Sequence, residues 1–134
     1  MLEYSISAER VDTAGSTATV RQAVVPLDTS LAGRADAFNP AEMLLAALAA
    51  CIIKSAERAL PVLGFDMRGM SVQLHAVRQD APPQIVSIDY LVTVDTDESD
   101  HRLDLLHKNI RKYGTISNTL TLAVALDGRI TRKG

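Results

Sequence analysis

The sequence predicts an α+β fold in which antiparallel strand pairs pack on two helices of very different character. Three observations predict it. Alternating, β-branched runs come in pairs with turn residues between them, within 2–25 and 70–95. One helical stretch, after Asn39-Pro40, is apolar on every side from Met43 to Ile53, whereas a second, after Ser99, has a single apolar stripe. The order strand, strand, helix, strand, strand, helix, strand is made of hairpins and helices rather than alternating βαβ units.

Taken in order, residues 2–11 and 17–25 read as a hairpin, with Asp12, Thr13, Ala14, Gly15 and Ser16 as its turn. Residues 26–38 lose periodicity and gather Asp28, Thr29, Ser30, Gly33, Arg34 and Asp36, a loop placed to act as a lid over Cys51. Asn39 is a good N-cap, Pro40 suits the first helical position, and Glu42 can reach back to the Asn39 amide in a capping box. The helix gains polarity at Lys54, Ser55, Glu57 and Arg58, and is expected to end near Leu60, before Pro61 and Gly64.

A second hairpin follows. Residues 70–78 place Val72, Leu74 and Ala76 opposite Ser71, Gln73 and His75, and after the Asp80-Ala81-Pro82-Pro83 turn, residues 85–95 put Val86, Ile88, Tyr90, Val92 and Val94 on one face. Ser99 caps the second helix, with Asp100 in its first turn, the stripe Leu103, Leu106, Ile110, Tyr113, and Gly114 as a C′ residue. Leu120, Leu122, Val124 and Leu126 alternate as a last strand, closed by Asp127 and Gly128.

Composition narrows the function classes. A length of 134 residues fits one domain spanning 1–134. A net charge of −2 with scattered Lys and Arg offers no basic stripe, so no nucleic-acid partner is expected. No secretory leader and no membrane-spanning run is read, so no membrane partner is expected and the expected location is cytoplasmic. The single cysteine excludes an intramolecular disulfide and suits a reducing compartment. His101 and His107 do not fall on adjacent turns of one face, and Gly15, Gly33 and Gly114 are isolated, so neither a metal site nor a phosphate-cradling cofactor loop is expected. One sheet and one amphipathic helix cannot cover a helix that is apolar all round, which points to a homodimer with this Cys51-bearing helix at its centre.

The run Asn39-Pro40-Ala41-Glu42-Met43-Leu44-Leu45-Ala46-Ala47-Leu48-Ala49-Ala50-Cys51 resembles the cysteine helix of the OsmC/Ohr family of thiol-dependent peroxidases. The likeness extends from the N-terminal hairpin through Gly64 and the strand pair to Ile116-Ser117 and Leu120. It implies an OsmC-like intertwined homodimer with two central helices. It also implies that Cys51 attacks a peroxide, with an arginine and a glutamate holding its thiolate. Arg10, Arg21 and Arg34 all lie upstream of the helix; Arg21 is preferred and Arg34 is next. In many members the glutamate directly follows Asn-Pro, where this chain has Ala41; Glu42 matches a branch with glutamate one place later, and its capping role already explains it. The family's resolving cysteine opens a Cys-Pro-Val/Ile-Ser motif that reads Gly114-Thr115-Ile116-Ser117 here.

The expectation is therefore a one-cysteine peroxidase. Cys51 reduces a small organic hydroperoxide, with a small dithiol as external reductant, because a neutral thiol is a poor nucleophile and a lone sulfenate needs an outside thiol. By composition alone a cysteine among alanines and isoleucines is an inert hydrophobe. The alternative is thus a catalytically impaired dimer that binds a small apolar or thiol-reactive ligand.

Overall fold

A computed structural model describes residues 1–134, which divide into two compact units, Met1–Leu44 and Leu45–Gly134. The first holds a three-stranded antiparallel meander of β1 (Ser7–Asp12), β2 (Gly15–Val20) and β3 (Ala23–Leu27). The β1–β2 turn is where the residues put it, with the Ala14 amide donating to Asp12 Oδ1 at 2.8 Å. The run at 17–25, read as one strand, is two. Val20 pairs with Ala23 across a tight turn in which Arg21 takes a φ of 53°. A left-handed arginine is uncommon, which is why the pattern hides this turn.

The loop after β3 is organised by Asp28. Its carboxylate accepts from the amides of Ser30 and Arg34 and from Ser30 Oγ, while its own amide donates to Phe38 O. Those donors, the Arg34 amide first, hold the Asp28 carboxyl below the ordinary carboxylate range. Ala8, Ala18 and Val25 stand side by side across the sheet, on a face left open as an apolar groove of about 410 Å³ that Ile6, Phe38 and Met43 also line.

Helix α1 (Pro40–Leu63) starts in the first unit and runs through the second. Its capping box closes in both directions, Glu42 N to Asn39 Oδ1 at 2.8 Å and Asn39 N to Glu42 Oε1 at 3.0 Å. The end differs from expectation, because Pro61 lies inside the last turn. The carbonyl it leaves unpaired belongs to Glu57, an exposed residue that water can serve. Gly64, at φ 58°, ends the helix in a Schellman arrangement, with Phe65 N on Leu60 O and Gly64 N on Pro61 O.

In the second unit β4 (Gly69–Gln79) and β5 (Gln84–Asp95) form the expected hairpin, and β6 (Ala125–Arg132) adds to β5 in parallel, giving the order β4-β5-β6. The register slips at Val77/Arg78, so Val86 turns outward and Ile85 takes the inner side. Helix α2 (Asp100–Tyr113) starts on Ser99, whose Oγ accepts from the Arg102 amide, and buries Leu103, Leu106 and Ile110 as the stripe requires. Tyr113 lies off that stripe, half exposed beneath the Arg58 guanidinium. A short α3 (Thr115–Leu120) takes up the connection after α2 and the first residue, Leu120, of what read as the last strand, and Leu122 and Val124 lie outside any strand.

The strand β6 therefore begins later, and Asp127-Gly128 sits within it rather than closing it. Gly128 is a glycine because the Tyr90 ring fills the place of its side chain. The core of this unit joins Leu48, Ile52, Ala56 and Ala59 of α1 to Ile88, Val92 and Val94 of β5 and to the α2 stripe. A methyl at position 128 must push the ring out of this packing, so Gly128→Ala is expected to cost about 2–3 kcal/mol in urea unfolding, the range of core overpacking. A change below about 0.5 kcal/mol would show that the ring has somewhere else to go.

Candidate active site

Cys51 lies midway along α1, one residue before the fully buried Ile52, and is itself half-buried and free. The Ile116 amide donates to its Sγ at 3.4 Å. What brings that amide there is the junction between α2 and α3. Gly114 is buried at φ −80°, ψ 112°, an extended conformation open to any residue, so it is not the left-handed C′ glycine its position suggested. Its small size is what the site uses. A Cβ here would stand 3.3 Å from Cys51 Sγ, 3.1 Å from Ser117 Oγ and 3.0 Å from Ile110 O.

Ser117 is 1% exposed, and its Oγ has no hydrogen-bond partner. The site within this unit is thus a thiol with an N–H directed at it, and the unpaired Ser117 hydroxyl lies outside that contact, beside the same glycine.

Two arginines that the sequence had no means of singling out hold the frame. Arg58, two turns beyond Cys51 on α1, donates to Tyr113 O at 2.9 Å and so ties α1 to the end of α2 next to Gly114. Arg102 donates to Leu63 O and Gly64 O, capping the C-terminus of α1 from α2. Both act on backbone carbonyls brought close only by the fold.

The arginines that were singled out lie in the first unit. Arg21 occupies the β2–β3 turn, exposed and without a hydrogen bond from its guanidinium. Arg34 is committed to Asp36, its Nε and Nη2 donating to the two carboxylate oxygens at 2.9 and 3.0 Å. Glu42 is in the capping box. The structure joins Cys51 to the Gly114–Ser117 segment, and within the second unit no arginine is hydrogen-bonded to the sulfur.

A second polar group joins α2 to the sheet. Tyr90 Oη lies 2.6 Å from His107 Nε2, and Arg111 Nη1 donates to the same Oη at 3.4 Å. The Tyr90 oxygen is thus shared between the Arg111 guanidinium, which donates to it, and His107 Nε2. Burial, followed by the Arg111 charge, pushes the His107 imidazole below its ordinary range, and burial pushes the Tyr90 hydroxyl up.

These features define an α+β protein built round a helix-borne thiol that rests on a glycine–serine turn. The chain belongs to the OsmC-like protein family, whose model matches residues 33–127. An OsmC-like protein from Mycoplasma pneumoniae has the same fold, with a TM-score of 0.90 at 20% identity over 99% of both chains. An organic hydroperoxide resistance protein OsmC from Legionella pneumophila aligns at TM-score 0.77 and 15% identity, covering 98% of this chain and 99% of its own. The organic hydroperoxide resistance protein OhrB of Bacillus subtilis aligns at 0.71 and 14%, covering 97% and 98%. Comparison with curated protein sequences finds no match.

The lowered imidazole sets a pH dependence. Below the ordinary histidine value of 6.5 the unfolded chain takes up a proton that folded His107 resists, so stability falls with pH and levels off once the folded imidazole also protonates. In urea unfolding between pH 7.5 and pH 5, His107→Gln is expected to lose less stability than the parent. Parallel curves for the two proteins would contradict this assignment.

Proposed function

We propose that the protein is a one-cysteine peroxidase for small organic hydroperoxides. The Cys51 thiolate attacks one peroxide oxygen and the O–O bond breaks. Sulfur is oxidised to the sulfenic acid, and the departing alkoxide takes a proton to leave as the alcohol. One thiol of an external dithiol then condenses with the sulfenic acid, releasing water and forming a mixed disulfide. The second thiol displaces Cys51, closes the dithiol's own disulfide and restores the thiol. The observation that carries this reading is the Ile116 N–H directed at Cys51 Sγ.

Family membership supports the reading, as do the words hydroperoxide resistance in the names of the Legionella and Bacillus proteins of the same fold. The cation for the thiolate is Arg21 in preference to Arg34, because the Arg34 guanidinium is occupied by Asp36. The working unit is a homodimer. Its support is the apolar surface that one chain leaves open: Ala47, Ala50 and Ile53 on α1, and the groove face of the first sheet. No helix is long and apolar enough to cross a membrane.

One observation favours a second reading. The groove at Ile6, Ala18, Val25, Leu27, Phe38 and Met43 is lined almost wholly by apolar atoms and is large enough for a short acyl or aromatic ligand. A binding protein of this kind would co-purify with its ligand, visible in native mass spectra, and its Cys51 would not react with iodoacetamide.

Steady-state reduction of cumene hydroperoxide, with dihydrolipoamide as dithiol, separates the two. The parent is expected to turn over at least about 100-fold faster than Cys51→Ser, the scale of losing a nucleophile, and Arg21→Met to fall about tenfold or more, the loss of one charged hydrogen bond. Rates equal to those of Cys51→Ser would rule out the peroxidase. A cysteine introduced at position 114 has its Cβ 3.3 Å from Cys51 Sγ, within disulfide reach. Gly114→Cys is therefore expected to give a peroxide-dependent intramolecular disulfide, scored by mass after alkylation.

A further inference from the structure

The Ser117 hydroxyl is the one buried side-chain polar atom of the chain with no partner, in a residue 1% exposed. A hydroxyl left in that state costs stability with nothing in the resting molecule to offset it. It lies 3.1 Å from the point a Gly114 Cβ would occupy, and Cys51 Sγ lies 3.3 Å from the same point, although the two are not hydrogen-bonded to each other. With no side chain on Gly114, nothing at that position stands between the sulfur on one side and the unused donor on the other.

We propose that this space is a sulfenate niche, in which the oxygen that Cys51 gains from a hydroperoxide receives the Ser117 Oγ–H hydrogen bond. This deepens the peroxidase reading and rests on it. The step is balanced by the organic hydroperoxide: the O–O bond breaks, an S–O bond forms, sulfur gives up two electrons, and the alkoxide leaves with a proton as alcohol. Ser117 takes no part in that attack. Its role begins with the product, where a donor on the sulfenate oxygen draws electron density from the sulfur and slows its attack on a second hydroperoxide, the step that yields the irreversible sulfinate.

The niche matters more here than in a two-cysteine enzyme. With Gly114 where a second thiol would stand, the sulfenate must last until an external dithiol arrives. The residue that removes the internal resolver also opens the space. A serine kept buried and unpaired in the reduced protein thus has its partner in the oxidised one.

The test compares the parent with Ser117→Ala, each reduced and then treated with excess cumene hydroperoxide in the absence of dithiol. Samples taken over time are trapped with dimedone, and Cys51 sulfenate and sulfinate are quantified by peptide mass spectrometry. In the variant, the first oxidation is expected to keep its rate within about twofold, and sulfenate to pass to sulfinate about tenfold faster, the scale of one hydrogen bond to a charged group. The melting temperature of the reduced variant is expected to rise, because an unsatisfied buried hydroxyl has been removed. A merely structural serine cannot produce those two effects together.

Equal sulfinate rates in the two proteins would overturn the niche and leave the peroxidase standing. A parent Cys51 that gains no oxygen at all would overturn both.

Discussion

The constraint on which the second unit depends is the close approach of the α2–α3 junction to α1 at Cys51. A Cβ at position 114 would meet a carbonyl, a hydroxyl and a sulfur at 3.0–3.3 Å, so each neighbour would have to give by a few tenths of an ångström. From that approach follow the Ile116 amide on Sγ, the burial of Ser117 and the placing of Tyr113 O under Arg58. The Cys51 environment is thus set by helix packing: Leu48 and Ile52 on one side, and Leu106 and Ile110 on the other, pull the two helices into one core.

Much of this was legible in the residues because it is local. The start of α1 is written in Asn39, Pro40 and Glu42, and that of α2 in Ser99 and Asp100, since caps act within one turn. The β4–β5 hairpin follows from strict alternation on either side of the Asp80–Pro83 turn. The departures differ in cause. Arg21 takes a left-handed conformation in a tight turn, and Pro61 is tolerated in the last helical turn because the carbonyl that loses its donor is exposed. Gly128 lies within β6 because the Tyr90 ring, distant in sequence, fills the place of its side chain.

The site divides in the same way. Cys51 was legible through the motif around it, and the absence of a second thiol through a count of cysteines. Ser117 stood in the matched segment, yet nothing in its spacing says that its hydroxyl is buried and unpaired. Arg58 stood out only as a polar residue late in its helix and Arg102 did not stand out at all; only the fold shows their guanidinium groups closing helix ends. The choice between Arg21 and Arg34 turns on Asp36, which occupies one of them. A thiol peroxidase needs a nucleophile, a stabiliser for its anion and a way to survive its own product. The second unit holds Cys51 and the unpaired Ser117 hydroxyl, and Arg21 and Arg34 lie in the first.

Whether Cys51 is a redox thiol or a packed one is decided by titrating the reduced protein with cumene hydroperoxide in single-turnover amounts, with free thiol and residual peroxide counted at each step. For a redox thiol, one hydroperoxide is consumed for each Cys51 thiol lost, and the thiol is recovered on adding dithiothreitol. A thiol count that stays constant while the hydroperoxide remains unconsumed would contradict it.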